Sequence, residues 1–327
     1  MTVVSVRPAA GRRVWNGVLW VLVVGVALWA LIRGVGFDHQ TPVAQVISYT
    51  PYVGVFSVVV LLAALASRRW RIAGAAVLVV LVFAAFTIPR AVAGGRSTGE
   101  PLRVLAFNAK IGGASVPVLM AFLRQERPDV LSIEELTPSL AADLAAAGIS
   151  ELLPYQALRA QPGASGTGLW ARYPLTGDRT ADPKSGFDET YAVLHRPGRP
   201  AVEIVSAHPR PPLPHAQPWG SPSQWVGDLA GLPSASSSGP VRILAGDFNA
   251  TLDHSPLRKL IGTGYRDAAA TVGRGLAPTW PEDGSRLPPI TIDHVLVDER
   301  AGVASFRTKV IAGSDHKAIV ADLLLPA

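Results

Sequence analysis

Three uncharged apolar runs, at residues 15–32, 43–66 and 72–88, fill most of the first ninety positions of this 327-residue chain. A helix that crosses the hydrocarbon core of a bilayer needs about 20 such residues, and each run approaches that length. One run alone would read equally well as a buried core helix or a cleaved signal. Cleavage of one leaves two unexplained, and a water-soluble core rarely uses three in succession, so the runs predict three transmembrane helices in a lipid bilayer. Pro51 and Gly54 in the second run predict a kink, which neighbouring helices tolerate.

Charge divides in the same way. The formal net charge of +6 invites a nucleic-acid reading. Residues 1–96, however, hold nine arginines, no lysine and one acid, a net of +8, while residues 97–327 carry 21 basic and 23 acidic residues, a net of −2. Arg7, Arg12 and Arg13 precede the first run, and Arg68, Arg69 and Arg71 fill the link between the second and third, whereas the first link has only Arg33 and Asp38. Cytoplasmic loops retain Lys and Arg. The pattern therefore predicts a multi-pass protein of the cell membrane, with a cytoplasmic N-terminus, three crossings and everything after residue 90 extracytoplasmic. The chain has no cysteine, which excludes disulfides, thiolate metal sites and cysteine nucleophiles.

Residues 91–100 (AVAGGRSTGE) read as a short flexible linker, and residues 101–327 as a second domain. In that domain, apolar runs of four to eight residues at 102–107, 130–133, 167–170, 191–194, 202–207, 241–245, 292–297 and 318–325 read as buried strands. Stretches 116–125 and 138–147 repeat apolar residues at helical spacing, which predicts an α/β or α+β domain. Residues 234–239 read as a polar insert.

Polar residues gather directly after the apolar runs. Asn108 ends the first, Glu135 follows the second in DVLSIEEL, and His208 ends 202–207. Asp247 and Asn249 stand in LAGDFNA, Asp293 in PITIDHVLVD, and Asp315 with His316 in GSDHKAIVADL. Each alone reads as a helix or turn cap. Six such places together predict one shared cleft, because rigid strands aim their end residues reproducibly.

At 102–108, 129–136, 205–209, 244–249, 290–297 and 313–320 the chain resembles the endonuclease/exonuclease/phosphatase (DNase I-like) superfamily, most specifically in GDFN at 246–249 and SDH at 314–316. The resemblance implies a two-sheet sandwich flanked by helices, four layers in the order α/β/β/α, and Mg²⁺-dependent hydrolysis of a phosphate ester or anhydride, with Mn²⁺ as the alternative ion. It implies Glu135 as principal metal ligand with Asn108 beside it; Asp315 offers a further hard oxygen of the kind such cations bind. By the same resemblance Asp247 orients or deprotonates the attacking water, Asn249 holds a phosphate oxygen, His316 contacts the phosphate, Asp293 fixes the His316 tautomer, and His208 assists the phosphate or the leaving group.

Neighbouring residues read more plainly. Glu134 should face away from Glu135 as a structural or surface residue, His294 should pack, and Asp253 and His254 should cap a helix. His215, Trp219 and Trp225 read as an exposed loop or a substrate wall, and Thr279 with Trp280 as the pocket border. Two features depart from the family. Lys110 stands where many relatives carry an acid, and no glutamate partner for His208 is found near residues 166–170.

Three spans before a domain of this kind also resemble the layout of VanJ-type teicoplanin-resistance membrane proteins, which implies a cell-envelope lipid carrying a phosphate or pyrophosphate. A nuclease is the alternative enzyme, although a domain of net charge −2 offers no obvious basic groove. A catalytically silent binding domain is the non-enzymatic alternative, and it predicts a missing site residue where every position is filled. Nothing in the sequence calls for a protein partner.

Overall fold

The structure, a computed structural model, describes residues 9–94, 98–181, 186–213, 220–236 and 238–326. Three helical stretches are long and apolar enough to cross a membrane: Gly11–Val35, Val43–Ala66 and Trp70–Arg90. The first lies in helix α1 (Ala9–Val35). The second starts as the short helix α2 (Val43–Val46), tightens into a 3₁₀ turn at Ile47–Tyr49, and continues as α3 (Thr50–Ala66). The third is α4 (Trp70–Thr87) with a further 3₁₀ turn at Ile88–Arg90. The break in the second span precedes Pro51, which sits in the first turn of α3 where its missing N–H leaves no bond unmade. Gly54 serves close packing instead of a kink, since a Cβ there would lie 3.3 Å from the Phe83 Cβ.

Leu19, Val23, Val26 and Ala30 form a stripe along α1 that packs against Val60 and Ala64 of α3 and Ala73, Ala76 and Val79 of α4. The outward faces are apolar as well, with Val21, Val24, Leu28, Val55, Leu62, Leu78 and Leu81 exposed. Helices apolar on every side suit lipid, not water.

The remainder is a two-sheet α/β domain. In chain order its elements are β1 (Glu100–Asn108), α5 (Val116–Glu126), β2 (Val130–Glu134), α6 (Pro138–Ala146), α7 (Ile149–Leu152), β3 (Tyr155–Arg159), β4 (Thr167–Ala171), β5 (Leu175–Thr180), β6 (Thr190–Leu194), β7 (Val202–Ala207) and α8 (Pro222–Gly231). Then follow β8 (Val241–Asp247), α9 (Ser255–Ile261), β9 (Tyr265–Asp267), α10 (Ala268–Thr271), β10 (Asp293–Asp298), β11 (Gly302–Val310) and β12 (Lys317–Leu325). One sheet has the order β11-β12-β1-β2-β4-β3 and the other β5-β6-β7-β8-β10-β9. The eight runs read as strands from their apolar content are the interior strands, and β3, β5, β9 and β11, which that pattern missed, are the four edges. Edge strands are short or carry polar residues that discourage pairing with other chains.

Side chains alternate across each sheet and so build three cores between four layers. Leu102, Val104 and Ala106 of β1 meet Ile243 and Ala245 of β8 between the sheets. Leu105 and Phe107 point outward onto Leu119 and Leu123 of α5 and Leu140 of α6. On the opposite face Val205 and Leu244 pack under Trp225 and Leu229 of α8 and Leu257 of α9. Trp225 is thus a core residue; His215 and Trp219 lie outside the described residues.

The link from α1 to α3 docks on this domain. Asp253 takes Arg33 Nε at 3.1 Å and both terminal nitrogens of Arg90, at 2.9 and 2.6 Å. Asp38 accepts from the backbone N–H and the hydroxyl of Ser255, and His254 Nε2 lies 2.7 Å from the Ala44 carbonyl. Gln45 Nε2 donates to the Pro212 carbonyl, and the Tyr52 hydroxyl to that of Pro289 at 2.7 Å. Asp253 and His254 therefore tie the domain to the N-terminal helices; α9 begins at Ser255 with no side-chain cap from His254. The described part of 91–100 also follows the domain surface, with Ala93 bridging to Val272 and Gly94 N donating to the Thr271 carbonyl at 2.8 Å, while residues 95–97 lie outside the described residues. Removing one partner from a buried ion cluster strands the other charges. Asp253→Ala is expected to destabilise the protein by about 3–5 kcal/mol, read as a lowered midpoint of thermal unfolding in detergent micelles.

Candidate active site

Strand direction gathers the site at one edge of the sandwich. β1 and β2 run parallel, as do β7 and β8, and the hydrogen bond between Asn108 at the end of β1 and Asp247 at the end of β8 sets both pairs ending on the same side. Register then pairs Asn108 with Glu134 and Ala207 with Gly246, while the antiparallel neighbour β10 begins there, pairing Asp293 with Asp247. The loop before β12 brings Asp315 and His316 to the same edge, clipped by the Ser314 hydroxyl, which donates to the Asn108 carbonyl at 2.7 Å.

The backbone is strained where the strands end. Lys110, Ile111, Glu135 and Asn249 all adopt left-handed φ values, between 49° and 54°. Such residues persist only where the surroundings fix them, and they concentrate at functional sites. Gly246 of GDFN has φ 149°, and a Cβ there would lie 2.2 Å from the Ala207 carbonyl oxygen. Only glycine lets β7 and β8 close this tightly.

Glu135, His208, Asp247, Asn249, Asp315 and His316 line one cleft. Asn108 and Asp293 stand buried behind it and orient the residues in front. Asn108 Oδ1 accepts from the Lys110 N–H at 2.9 Å, which turns its Nδ2 toward Glu135 Oε1 at 3.1 Å and Asp247 Oδ2 at 3.0 Å. Glu135 also accepts from the Ile111 N–H at 2.6 Å, and Asp247 from the Asn249 N–H at 2.8 Å. Asp293 lies 3.0 Å from His316 Nδ1, and its own N–H, with that of Ile292, donates to the Thr279 hydroxyl. His316 Nε2 is 3.7 Å from Asp247 Oδ2.

Electrostatics sort these groups. Burial opposes a charge on His316, but Asp293 and then Asp247 outweigh it and push its pKa up to about 10. Burial pushes Asp247 up to about 7 in spite of His316. His208 is driven the other way, down to about 3, by burial and then by the charge of His316. It is a neutral imidazole, its ring tilted against Phe187 at a centroid distance of 4.9 Å and set 3.8 Å from Asp247. Burial also raises Glu135, against hydrogen bonds from Asn108 and Ile111 that favour its charged form.

Glu134, His294 and Trp280 take the structural, packing and border positions expected of them. Glu134 is neither exposed nor facing solvent: it points between the sheets, within 2.6 Å of the Ser132 hydroxyl and 3.0 Å of that of Ser206, and burial pushes it up to about 8. A glutamate does accompany His208, namely Glu189, whose Oε1 accepts from the His208 N–H at 3.2 Å; it enters from the start of β6 and not from residues 166–170. His294 is buried between Asp267 Oδ2 and the Ala250 carbonyl, each at 2.8 Å. Trp280 borders the cleft and donates to Asp315 Oδ2 at 3.3 Å, and Lys110 reaches the same oxygen at 3.7 Å.

Donor atoms of Asp247, Asp293 and His316 lie within 4.8 Å of one another, and Glu135 and Asp315 line the same cleft. Carboxylates thus outnumber the cations facing them, and burial makes ionising both Glu135 and Asp247 unfavourable. A hard divalent cation suits such an oxygen-rich donor set.

The family profile described as Endonuclease/Exonuclease/phosphatase family matches residues 115–316. Among solved structures the chain is similar to an endonuclease/exonuclease/phosphatase from Beutenbergia cavernae DSM 12333, with 20% identity, 69% of this chain and 72% of that chain covered, and a TM-score of 0.50. It is similar to the 3′ phosphatase NExo from Neisseria, solved bound to product DNA hairpin, with 16% identity, 67% and 98% covered, and a TM-score of 0.52. An AP endonuclease from Archaeoglobus fulgidus gives 14% identity, 67% and 98% covered, and a TM-score of 0.53. No match is found among curated proteins. The profile spans more than half of the chain and takes in Glu135, His208, Asp247, Asp293 and His316, and the chain belongs to the endonuclease/exonuclease/phosphatase family.

Proposed function

We propose that this protein is a membrane-anchored, divalent-cation-dependent phosphoesterase that hydrolyses a phosphate or pyrophosphate bond of a lipid-linked substrate on the extracytoplasmic face of the cell membrane. The observation that carries this reading is the position of the phosphate-handling cluster, at the floor of a cleft whose facing wall is Ala44–Tyr49 territory of the membrane anchor itself. The resemblance of the layout to VanJ-type membrane proteins supports the same substrate class. Holding enzyme and lipid in one thin layer raises their effective concentration. The nuclease reading draws on DNA-bound neighbours such as NExo, but the domain's net charge of −2 gives phosphate backbones no general attraction.

Glu135 and Asp315 are the residues proposed to hold Mg²⁺ or Mn²⁺, with Asn108 beside Glu135 orienting it through Nδ2; when bound, the ion would polarise a phosphoryl oxygen. Asp247, held by Asn108 and by the Asn249 N–H, orients the attacking water and accepts its proton, a task suited to a carboxylate titrating near neutrality. His316, protonated and steered by Asp293, donates to phosphoryl oxygen as negative charge develops. Asn249 Nδ2 gives one hydrogen to the Pro209 carbonyl at 3.0 Å and keeps the second for a phosphate oxygen. Neutral His208 faces the same space and serves the phosphate or the leaving group.

The test is an activity panel on the full chain in liposomes with Mg²⁺, comparing polyprenyl pyrophosphate, phospholipid, sphingomyelin and plasmid DNA. Polyprenyl pyrophosphate should be turned over preferentially and chelation with EDTA should abolish turnover; preferential cleavage of DNA overturns the reading. Asp247→Ala and His316→Ala should each lower kcat by about 100-fold or more. The rate should rise as Asp247 deprotonates near pH 7 and fall as His316 loses its proton near pH 10, giving a bell-shaped profile whose alkaline limb disappears in His316→Gln. For topology, a reporter fused after Leu325 should be active only in its extracytoplasmic form; activity only in the cytoplasm reverses the orientation.

A further inference from the structure

We infer that the anchor segment between α1 and α3 is the specificity wall of the active site, and that the apolar chain of the substrate reaches the site from the bilayer past Val46, Leu213 and Leu287. This inference rests on the lipid-phosphate reading and adds which residues select the lipid and by what route it arrives.

The cleft encloses about 630 Å³, and its described lining is drawn from both halves of the chain. Gln45, Val46, Ser48 and Tyr49 face the same space as Asp247 and His316. Two loops of the catalytic domain close the sides, and each is tied to the anchor by a hydrogen bond. Gln45 Nε2 reaches the Pro212 carbonyl, next to Leu213, and the Tyr52 hydroxyl reaches the Pro289 carbonyl, two residues from Leu287. Tyr49 and Tyr52 mark the level at which the long apolar helix α3 begins, where tyrosines favour the boundary between headgroups and hydrocarbon. The cleft mouth is therefore set at the membrane boundary by the same bonds that shape it.

Beyond the phosphate-handling cluster the lining is mostly apolar. Val46, Leu213 and Leu287 are exposed, at 37%, 39% and 49%, although none contributes to a core cluster. Exposed aliphatic side chains that converge on a catalytic cleft, at the height of a bilayer surface, fit an acyl or prenyl chain passing between them. A sugar or nucleotide substituent would set Val46, Leu213 and Leu287 against polar groups.

The experiment measures kcat/KM of the full-length protein in phosphatidylcholine vesicles for a long-chain prenyl pyrophosphate embedded in the bilayer and for its water-soluble short-chain counterpart with the same headgroup. Wild type should prefer the long chain, and Val46→Asp and Leu287→Asp should each lower the long-to-short ratio by tenfold or more. A new carboxylate repels either phosphate alike, so its charge cancels in the ratio. Val46→Ala and Leu287→Ala, which add no charge and alter only exposed positions, should shift the ratio in the same direction. An unchanged ratio in all four variants, with wild type still preferring the long chain, overturns the wall and leaves the lipid-phosphate reading standing. A wild type that hydrolyses the short-chain substrate as well as the embedded one, or neither of them, overturns both.

Discussion

One buried carboxylate joins the two halves of the molecule. Asp253 is fully enclosed and is met by guanidinium groups from two different spans, Arg33 near the end of α1 and Arg90 just after α4. Charges leave water only when partners replace the lost hydration, so this arrangement persists only with all three groups present. Arg258 extends it, donating to the Arg33 carbonyl at 2.9 Å and to the Asp253 carbonyl. Asp253 lies six residues beyond Asp247, in the loop that leaves β8. What fixes the N-terminal helices therefore also fixes the edge of the sandwich that carries the cleft, and a cleft shared between them can have a defined shape.

Within the cleft, the geometry follows from the two parallel strand pairs. Parallel strands end on the same side, and the residues that follow them are forced together whether or not their charges agree. Glu135, Asp247, Asp293 and Asp315 crowd around a single imidazolium, His316, with Lys110 at the rim. The left-handed turns at Glu135 and Asn249 allow the chain to leave a strand abruptly, so that consecutive residues face different ways: Glu134 into the space between the sheets, Glu135 into the cleft. The rear positions of Asn108 and Asp293 divide labour further. They lie behind the lining and hold Asp247, Glu135 and His316 in their orientations.

Much of this was legible in the residues because the informative signals are local. Uncharged runs reveal spans, and continuous apolar runs reveal interior strands, since both faces of those strands are buried. The edge strands β3, β5, β9 and β11 escaped because half of their surface answers to solvent. The strand-end polar residues could be read as a set, but their ranks could not: nothing in the sequence separates Asn108, which stands behind the lining, from Asn249, which faces the cleft. Asp253 and His254 read as helix caps because a cap is the local use of such residues, and their partners, Arg33, Arg90 and Ala44, lie more than 160 positions away. Glu189 was overlooked for the same reason, since strand pairing and not sequence distance brings it to His208. The part played by Gln45 and Tyr49 left no local trace at all.

The division of charge also acquires a structural meaning. Counting nine arginines before residue 97 treats them as one signal, yet the structure separates them by role. Arg12, Arg13, Arg68, Arg69 and Arg71 gather at the end of the bundle far from the catalytic domain, where Arg69 reaches the Arg12 carbonyl and Trp15 Nε1 bonds Ser67 at 2.8 Å. Arg33 and Arg90 lie at the near end, and Asp253 neutralises them in part. A buried, paired arginine says little about which side of a membrane it occupies, because its charge is satisfied by protein. Removing those two from the count leaves the far end basic with no acid among its described residues, and the near end close to balanced. The charge asymmetry between the two ends of the bundle is thus stronger than the raw total suggests, since Arg33 and Arg90 are the ones that fasten the second domain to the bundle.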